Sequence, residues 1–193
     1  MRSRRTGALV TESGVATIVL NTPVPAVAAE SPPSDEALRL FRAHGDALYR
    51  FARVMVREPG DAEDVVQEAF VRLLHHLRCG GDRSNLKSWL FAVTANLSRD
   101  HLRRRRRWLA WLPEHERGLR AEPEFETRDP QVLFVAALRL LPQRDRLLLM
   151  LKVQGLSYRE IAAASGIREV SVGRLLARAL ARWQRARDAL SQG

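Results

Sequence analysis

The sequence lacks most of what would make it a secreted, membrane-spanning or metal-dependent protein. It has one cysteine, Cys79, so no internal disulfide can form. That suits a reducing cytosol, and the thiol reads as an inert group at a helix end. No run of about 18 apolar residues occurs, so no spanning helix is expected. His75 and His76 are adjacent, while His44, His101 and His115 are scattered, which is not metal-ligand spacing. Ser84, Ser88 and Ser98 have no setting that would activate a nucleophile, and no stretch alternates with the period of a strand. No cofactor, no metal, no small-molecule substrate and no enzymatic activity are expected. Acidic residues are the minority charge: 22 Asp and Glu against 32 Lys and Arg give a formal charge of +10. That excess favours a polyanionic partner, nucleic acid or an acidic membrane surface.

Residues 1–33 imitate a secretory signal: a basic start, an apolar run over 15–20 and a small-residue stretch over 26–29. The run is short, however, and Asn21, Pro23 and Pro25 interrupt it. The segment reads as a flexible leader, or as the product of a start codon chosen too far upstream. Helical spacing then appears over 35–56, with Leu38, Phe41, Leu48, Phe51, Ala52 and Met55 as the apolar stripe. Pro59-Gly60 breaks it, and a second helix is expected over 61–77, capped by Asp61. Ser84 or Asn85 can cap a third helix over about 86–108. Residues 113–130 are acidic, proline-containing and aperiodic, as a linker would be. Helical spacing resumes over 131–141, and Pro142 suits the first turn of the next helix, which is expected to end near Val153. The expected fold is all-α: two small helical domains, 34–109 and 131–190, joined by an acidic linker over 110–130.

The most informative stretch is 156–178. Ser157 and Glu160 form an S-x-x-E capping box. Gly166 can take the positive φ that ends a short helix, and Ile167 can plug the angle beyond it. From Arg168 onward, Val172, Leu175, Leu176, Ala179, Leu180 and Trp183 recur at helical spacing, with Ser171, Arg174, Arg178 and Arg182 largely on the other side. This pattern is a helix-turn-helix, which presents the start of its second helix to the DNA major groove. The alternative is an αα-hairpin inside a helical domain.

Two further clusters stand out. Asp64, Gln67, Glu68, Arg72 and His75 share one polar face of the second helix. Acids there either complement the helix macrodipole or form a face that docks on a basic protein surface. The third helix carries Asn96 and then Arg103-Arg-Arg-Arg-Arg107. Arginines so placed suit phosphates, and Asn96 can read a base edge or simply be an ordinary polar helix position.

The order of these parts resembles the extracytoplasmic-function (ECF) group of bacterial sigma factors. The resemblance rests on Asp-Ala-Glu-Asp-Val-Val-Gln-Glu-Ala-Phe from 61, the Leu86–Arg104 stretch, Leu141-Pro-Gln-Arg-Asp-Arg and Leu-Ser-Tyr-Arg-Glu-Ile-Ala from 156. It covers about residues 35–187. It implies a σ2 domain, a linker and a σ4 domain that bind core RNA polymerase, select promoter DNA and help open it. It also implies an anti-sigma factor as partner and a cytoplasmic location, with sequestration at the membrane when that partner is membrane-bound. By the resemblance, Asp61, Asp64, Gln67, Glu68 and Phe70 would dock on polymerase. Asn96, Arg99, Asp100, Arg103 and Arg104 would lie near the -10 element. Arg168, Ser171, Val172, Arg174 and Arg178 would face the -35 element. Gly173 and Leu175 depart from the family, which commonly has basic side chains there. Gly173 would admit close backbone approach to DNA, and Leu175 would be either core or a changed contact. A stand-alone helix-turn-helix regulator is the alternative function; it would need dimer symmetry, and no dimerisation coiled coil is evident.

Overall fold

The structure, a computed structural model, describes residues 32–111 and 130–192. Residues 1–31 of the expected leader (1–33) and most of the linker therefore lie outside the described residues, while Pro33 already opens the first helix. Within them are seven helices: α1 (Pro33–Val56), α2 (Pro59–Arg78), α3 (Leu86–Trp111), α4 (Pro130–Leu140), α5 (Gln143–Val153), α6 (Tyr158–Ser165) and α7 (Glu169–Gln192). Helices α1, α2 and α3 pack on one another to form the N-terminal half. In the C-terminal half, α7 lies across α4, α5 and α6.

Local chemistry explains the boundaries. Proline opens α1 and α2, where a missing N–H costs nothing. The cap of α2 is therefore Glu58, and Asp61 is not a cap; it sits in the first turn. Arg57 makes the sharp corner between the two helices at φ 75, its N–H donating to the Arg53 carbonyl. Of the two candidate caps for α3, Asn85 fills the role: its side-chain oxygen accepts from the Ser88 N–H at 3.1 Å. Ser84 instead closes a turn on Asp82, its N–H and hydroxyl both donating to that carboxylate at 2.9 Å. Pro142 precedes α5 as its N-cap residue.

The N-terminal core gathers Leu48, Phe51, Ala52, Met55, Leu73, Leu77, Leu90 and Phe91, each 2% exposed or less. Phe51 and Phe91 meet edge to face at 5.6 Å. The expected α1 stripe is buried only in its second half, because Leu38 and Phe41 remain 47% and 52% exposed. Across the C-terminal half, the buried Asp145 carboxylate on α5 receives Arg182 from α7. Trp183 packs on Phe134 at 5.3 Å.

The halves also touch: α3 lies against α6, and α1 against α4 and α5. No described helix is long and apolar enough to cross a membrane.

Candidate nucleic-acid interface

The helix-turn-helix is built as its sequence prescribes. Ser157 Oγ accepts from the Glu160 N–H at 3.3 Å, and Glu160 Oε2 accepts from the Ser157 N–H at 2.7 Å. Asn85 of the other half donates to the second oxygen of the same carboxylate. These bonds hold Glu160 below the usual glutamate range: the Ser157 hydroxyl contributes most, then its N–H, with Asn85 and Ser88 adding less against the opposing cost of burial. Gly166 ends α6 at φ 73, and its N–H returns to the Ala162 carbonyl at 2.9 Å. Ile161 is fully buried and Ile167 half-buried behind it.

On α7, Arg168 just before the helix, Arg174 and Arg178 are exposed, and Ser171 is half-buried. Val172 is different. It is 0% exposed and belongs to the core with Ile161 and Leu176, so it cannot meet DNA. The cause is periodicity: 172, 176 and 179 share one side of a helix, and that side is the core. The exposed apolar residue of this first turn is instead Val170, 88% exposed. Its signal in the sequence is that it falls off the 172–176–179 stripe.

The two departures from the family also have structural causes. Leu175 is half-buried against the core. At Gly173 an added Cβ would sit 3.3 Å from Cε2 of Tyr158. The glycine therefore makes room for a ring of its own domain, and close approach to DNA is not needed to explain it. Lys152 lies over the same ring, 5.2 Å from its centroid.

The second cluster lies on α3. Asn96 is exposed, Arg99 and Asp100 are half-buried, and Arg103 and Arg104 are exposed. Asn96, Arg99, Asp100 and Arg103, joined by Arg106 and Arg107, line one wall of a cleft of about 870 Å³. Gln143, Arg144 and Leu147 from α5, with Ser165 and Ile167, form the other wall. Arg104 is not among the lining residues. Only Asp100 brings a carboxylate into this cleft, and it is paired with Arg103. The cleft is thus a concentrated positive field suited to phosphate groups. Arg99 crosses it, donating to the carbonyls of Ser165 at 3.1 Å and Ala164 at 3.2 Å and also to the Asn96 side-chain oxygen.

The third cluster lies on α2. Asp64, Gln67 and Glu68 are exposed, and Glu68 pairs with Arg72 at 2.8 Å. Asp61 is engaged elsewhere, with His101 of α3 at 2.9 Å. Phe70 is half-buried and meets the exposed Phe41 edge to face at 5.1 Å. An aromatic pair thus accompanies the acids.

The remaining candidates have ordinary surroundings. Cys79 is exposed at the end of α2, its sulfur 3.7 Å from His75 Nε2. Ser98 is buried and donates to the Thr94 carbonyl at 2.8 Å. Among the described residues no group of three or more His, Cys, Asp and Glu is placed to hold a metal.

Built from helices alone among its described residues, with a helix-turn-helix in one half and an arginine-lined helix in the other, the molecule has the architecture of a two-part, all-helical DNA-binding protein. Two family profiles match it: Sigma-70 region 2 over residues 40–108 and Sigma-70, region 4 over residues 131–182. The chain is 35% identical over 147 residues to the ECF RNA polymerase sigma factor SigE of Mycolicibacterium smegmatis, covering 72% of this chain and 56% of that relative. It is 34% identical over 153 residues to the ECF RNA polymerase sigma factor EcfG of Rhodopseudomonas palustris, covering 75% of this chain and 77% of that one. Among solved structures it matches the sigma factor RpoE of Bartonella quintana, determined in complex with the anti-sigma factor NepR. That match has a TM-score of 0.63 and 26% identity, and covers 79% of this chain and 94% of the other. The chain belongs to the ECF group of the sigma-70 family. It is a transcription-initiation factor and not a stand-alone regulator.

Proposed function

We propose that the protein works without catalysis, docking on core RNA polymerase through α2 and reading promoter DNA with α3 and α7. Asp64, Gln67 and Glu68 form the docking face, with Phe70 and Phe41 supplying apolar contact and Asp61 steadying α2 on α3. Asn96, Arg99, Asp100, Arg103 and Arg104 serve the -10 element. Asn96 supplies base contact, and the arginines hold phosphates of the opened strand. Arg168, Ser171, Arg174 and Arg178 serve the -35 element, and Val170 offers an apolar contact of the kind that recognises a thymine methyl.

The observation that carries this reading is the arginine-rich face of α3, with Asn96 on it, in a chain that also has a complete helix-turn-helix. It goes with a functional division into leader (1–33), σ2 domain (34–109), linker (110–130) and σ4 domain (131–190). An anti-sigma factor is the expected inhibitor, because a structural relative is held by one. The site of action is the cytoplasm, on polymerase at the nucleoid, with sequestration at the membrane when the inhibitor is anchored there.

Run-off transcription with core polymerase is the test. Promoter-dependent transcripts are expected only when the protein is added with its cognate promoter. No binding to core polymerase in a pull-down would refute the reading.

A further inference from the structure

Glycine is a poor occupant of a helix interior, yet Gly173 stands in the second turn of α7, beside the start of α6. An added Cβ there would lie 3.3 Å from Cε2 of Tyr158, 3.9 Å from its Cζ and 4.0 Å from its hydroxyl oxygen. The ring edge therefore takes the place that a side chain at 173 would claim. Tyr158 nevertheless stays 46% exposed, and Gly173 is half-buried, so both remain reachable from solvent. The Tyr158 hydroxyl makes no hydrogen bond to a described residue. Lys152 Nζ lies over the ring, 5.2 Å from its centroid, and so engages its face rather than its edge.

Neighbours on α7 complete the surface. Val170 and Ala177 are exposed, and their i−3 and i+4 spacing from Gly173 sets the three side by side on the helix. The strip is apolar, with Arg174 and Arg178 beside it. Where the family commonly offers a basic side chain, this chain offers aromatic carbon, bare backbone and one free hydroxyl. A basic side chain suits a guanine edge or a phosphate, because both are acceptors. The surface here suits thymine, the base that sets a methyl group beside a single acceptor, O4.

We infer that Gly173 and Tyr158 together read one thymine of the -35 element. Its methyl packs on the Tyr158 ring edge beside Gly173, and the Tyr158 hydroxyl donates to its O4. Cytosine lacks that methyl and presents an amine where thymine has O4. The inference deepens the -35 reading of α7 given above and rests on it. It is separate from the contact of Val170, which lies nearly one turn closer to the helix start.

The test uses the full chain with core polymerase. Duplexes bound by this holoenzyme are selected from a random-sequence library. Each thymine of the enriched -35 element is then replaced in turn by deoxyuridine, which lacks only the methyl. One replacement should weaken binding about fourfold, the scale of one buried methyl. Gly173→Ala fills the seat, so the same replacement should be silent in that variant. Tyr158→Phe keeps the ring, so it should retain the deoxyuridine effect while losing about fivefold in affinity, the scale of one hydrogen bond. A purely structural glycine would leave the deoxyuridine effect unchanged in Gly173→Ala, and that result overturns the inference. So does a wild-type scan with no sensitive thymine. A thymine met by Val170 is told apart because it responds to Val170→Ala instead. Arg174→Ala tests the underlying reading. Loss of -35 protection in that variant, beside a silent scan, overturns the thymine seat alone; unchanged protection overturns the assignment of α7 to the -35 element.

Discussion

At Val172 and Val170 two residues of one type, two positions apart, have opposite surroundings: one is buried and the other exposed. Val172→Ala removes buried apolar volume and should cost about 2 kcal/mol, the transfer of two methyl groups plus a cavity. Val170→Ala should change stability by less than about 0.5 kcal/mol yet weaken the -35 contact. Chemical denaturation and footprinting of that element separate the two. Gly173→Ala gains about 1 kcal/mol of helix propensity, and the half-exposed Tyr158 ring can yield to the new methyl. A small net rise in melting temperature is therefore expected. Glu160 sets a pH response. Its carboxyl is held low when folded, so its contribution is complete above the ordinary carboxylate range and disappears as pH falls through the lowered value. Thermal melts taken down through that range should show Glu160→Gln losing part of the wild-type acid sensitivity. A variant with the full wild-type pH slope would refute the assignment. The stripe 172–176–179 was readable from spacing, and it conflicted with the placing of Val172 on the DNA side that the resemblance implied. Packing with Ile161 of α6 in the core resolves the conflict in favour of the spacing.

At the scale of the element, helix ends were the most legible feature. The capping box, Gly166 and the prolines at 59 and 142 act through neighbours a few residues away, so their meaning is local. Asp61 shows the limit. It looks like a cap, but Pro59 two residues earlier starts the helix, and the carboxylate is claimed by His101 forty positions on. No local pattern encodes that pairing. The α2 surface yields its own prediction. Asp64→Lys with Glu68→Lys should weaken core-polymerase binding at least about tenfold by reversing charge on an exposed face, with circular dichroism unchanged. Equal affinity in a competition assay would return those acids to a purely intrahelical role.

At the scale of the whole molecule, two helical halves were foreseeable from periodicity, but the way they meet was not. Arg57, Lys87, Arg99 and Arg146 read in the sequence as members of a general basic excess. Their targets are backbone carbonyls 82, 67, 65–66 and 92 positions away, and a carbonyl has no letter in the sequence. The arginine run should still declare itself electrostatically. Promoter affinity of the complete initiation complex should fall steeply with added salt. Arg103→Ala or Arg104→Ala should each remove one phosphate neighbour and so reduce the logarithmic salt slope by about 1, measured by titrating binding against salt.

Bonds of this kind, from a basic side chain to a helix-end carbonyl, also constrain evolution from one side only. Lys87 must stay basic, but the residue that offers the receiving carbonyl, Gln154, is free to become almost anything that keeps its helix end in place. Sequence comparison across relatives should therefore reveal invariant donors with no co-varying partners. Any method that infers proximity from paired substitutions would be blind to this interface, however tightly selection held it.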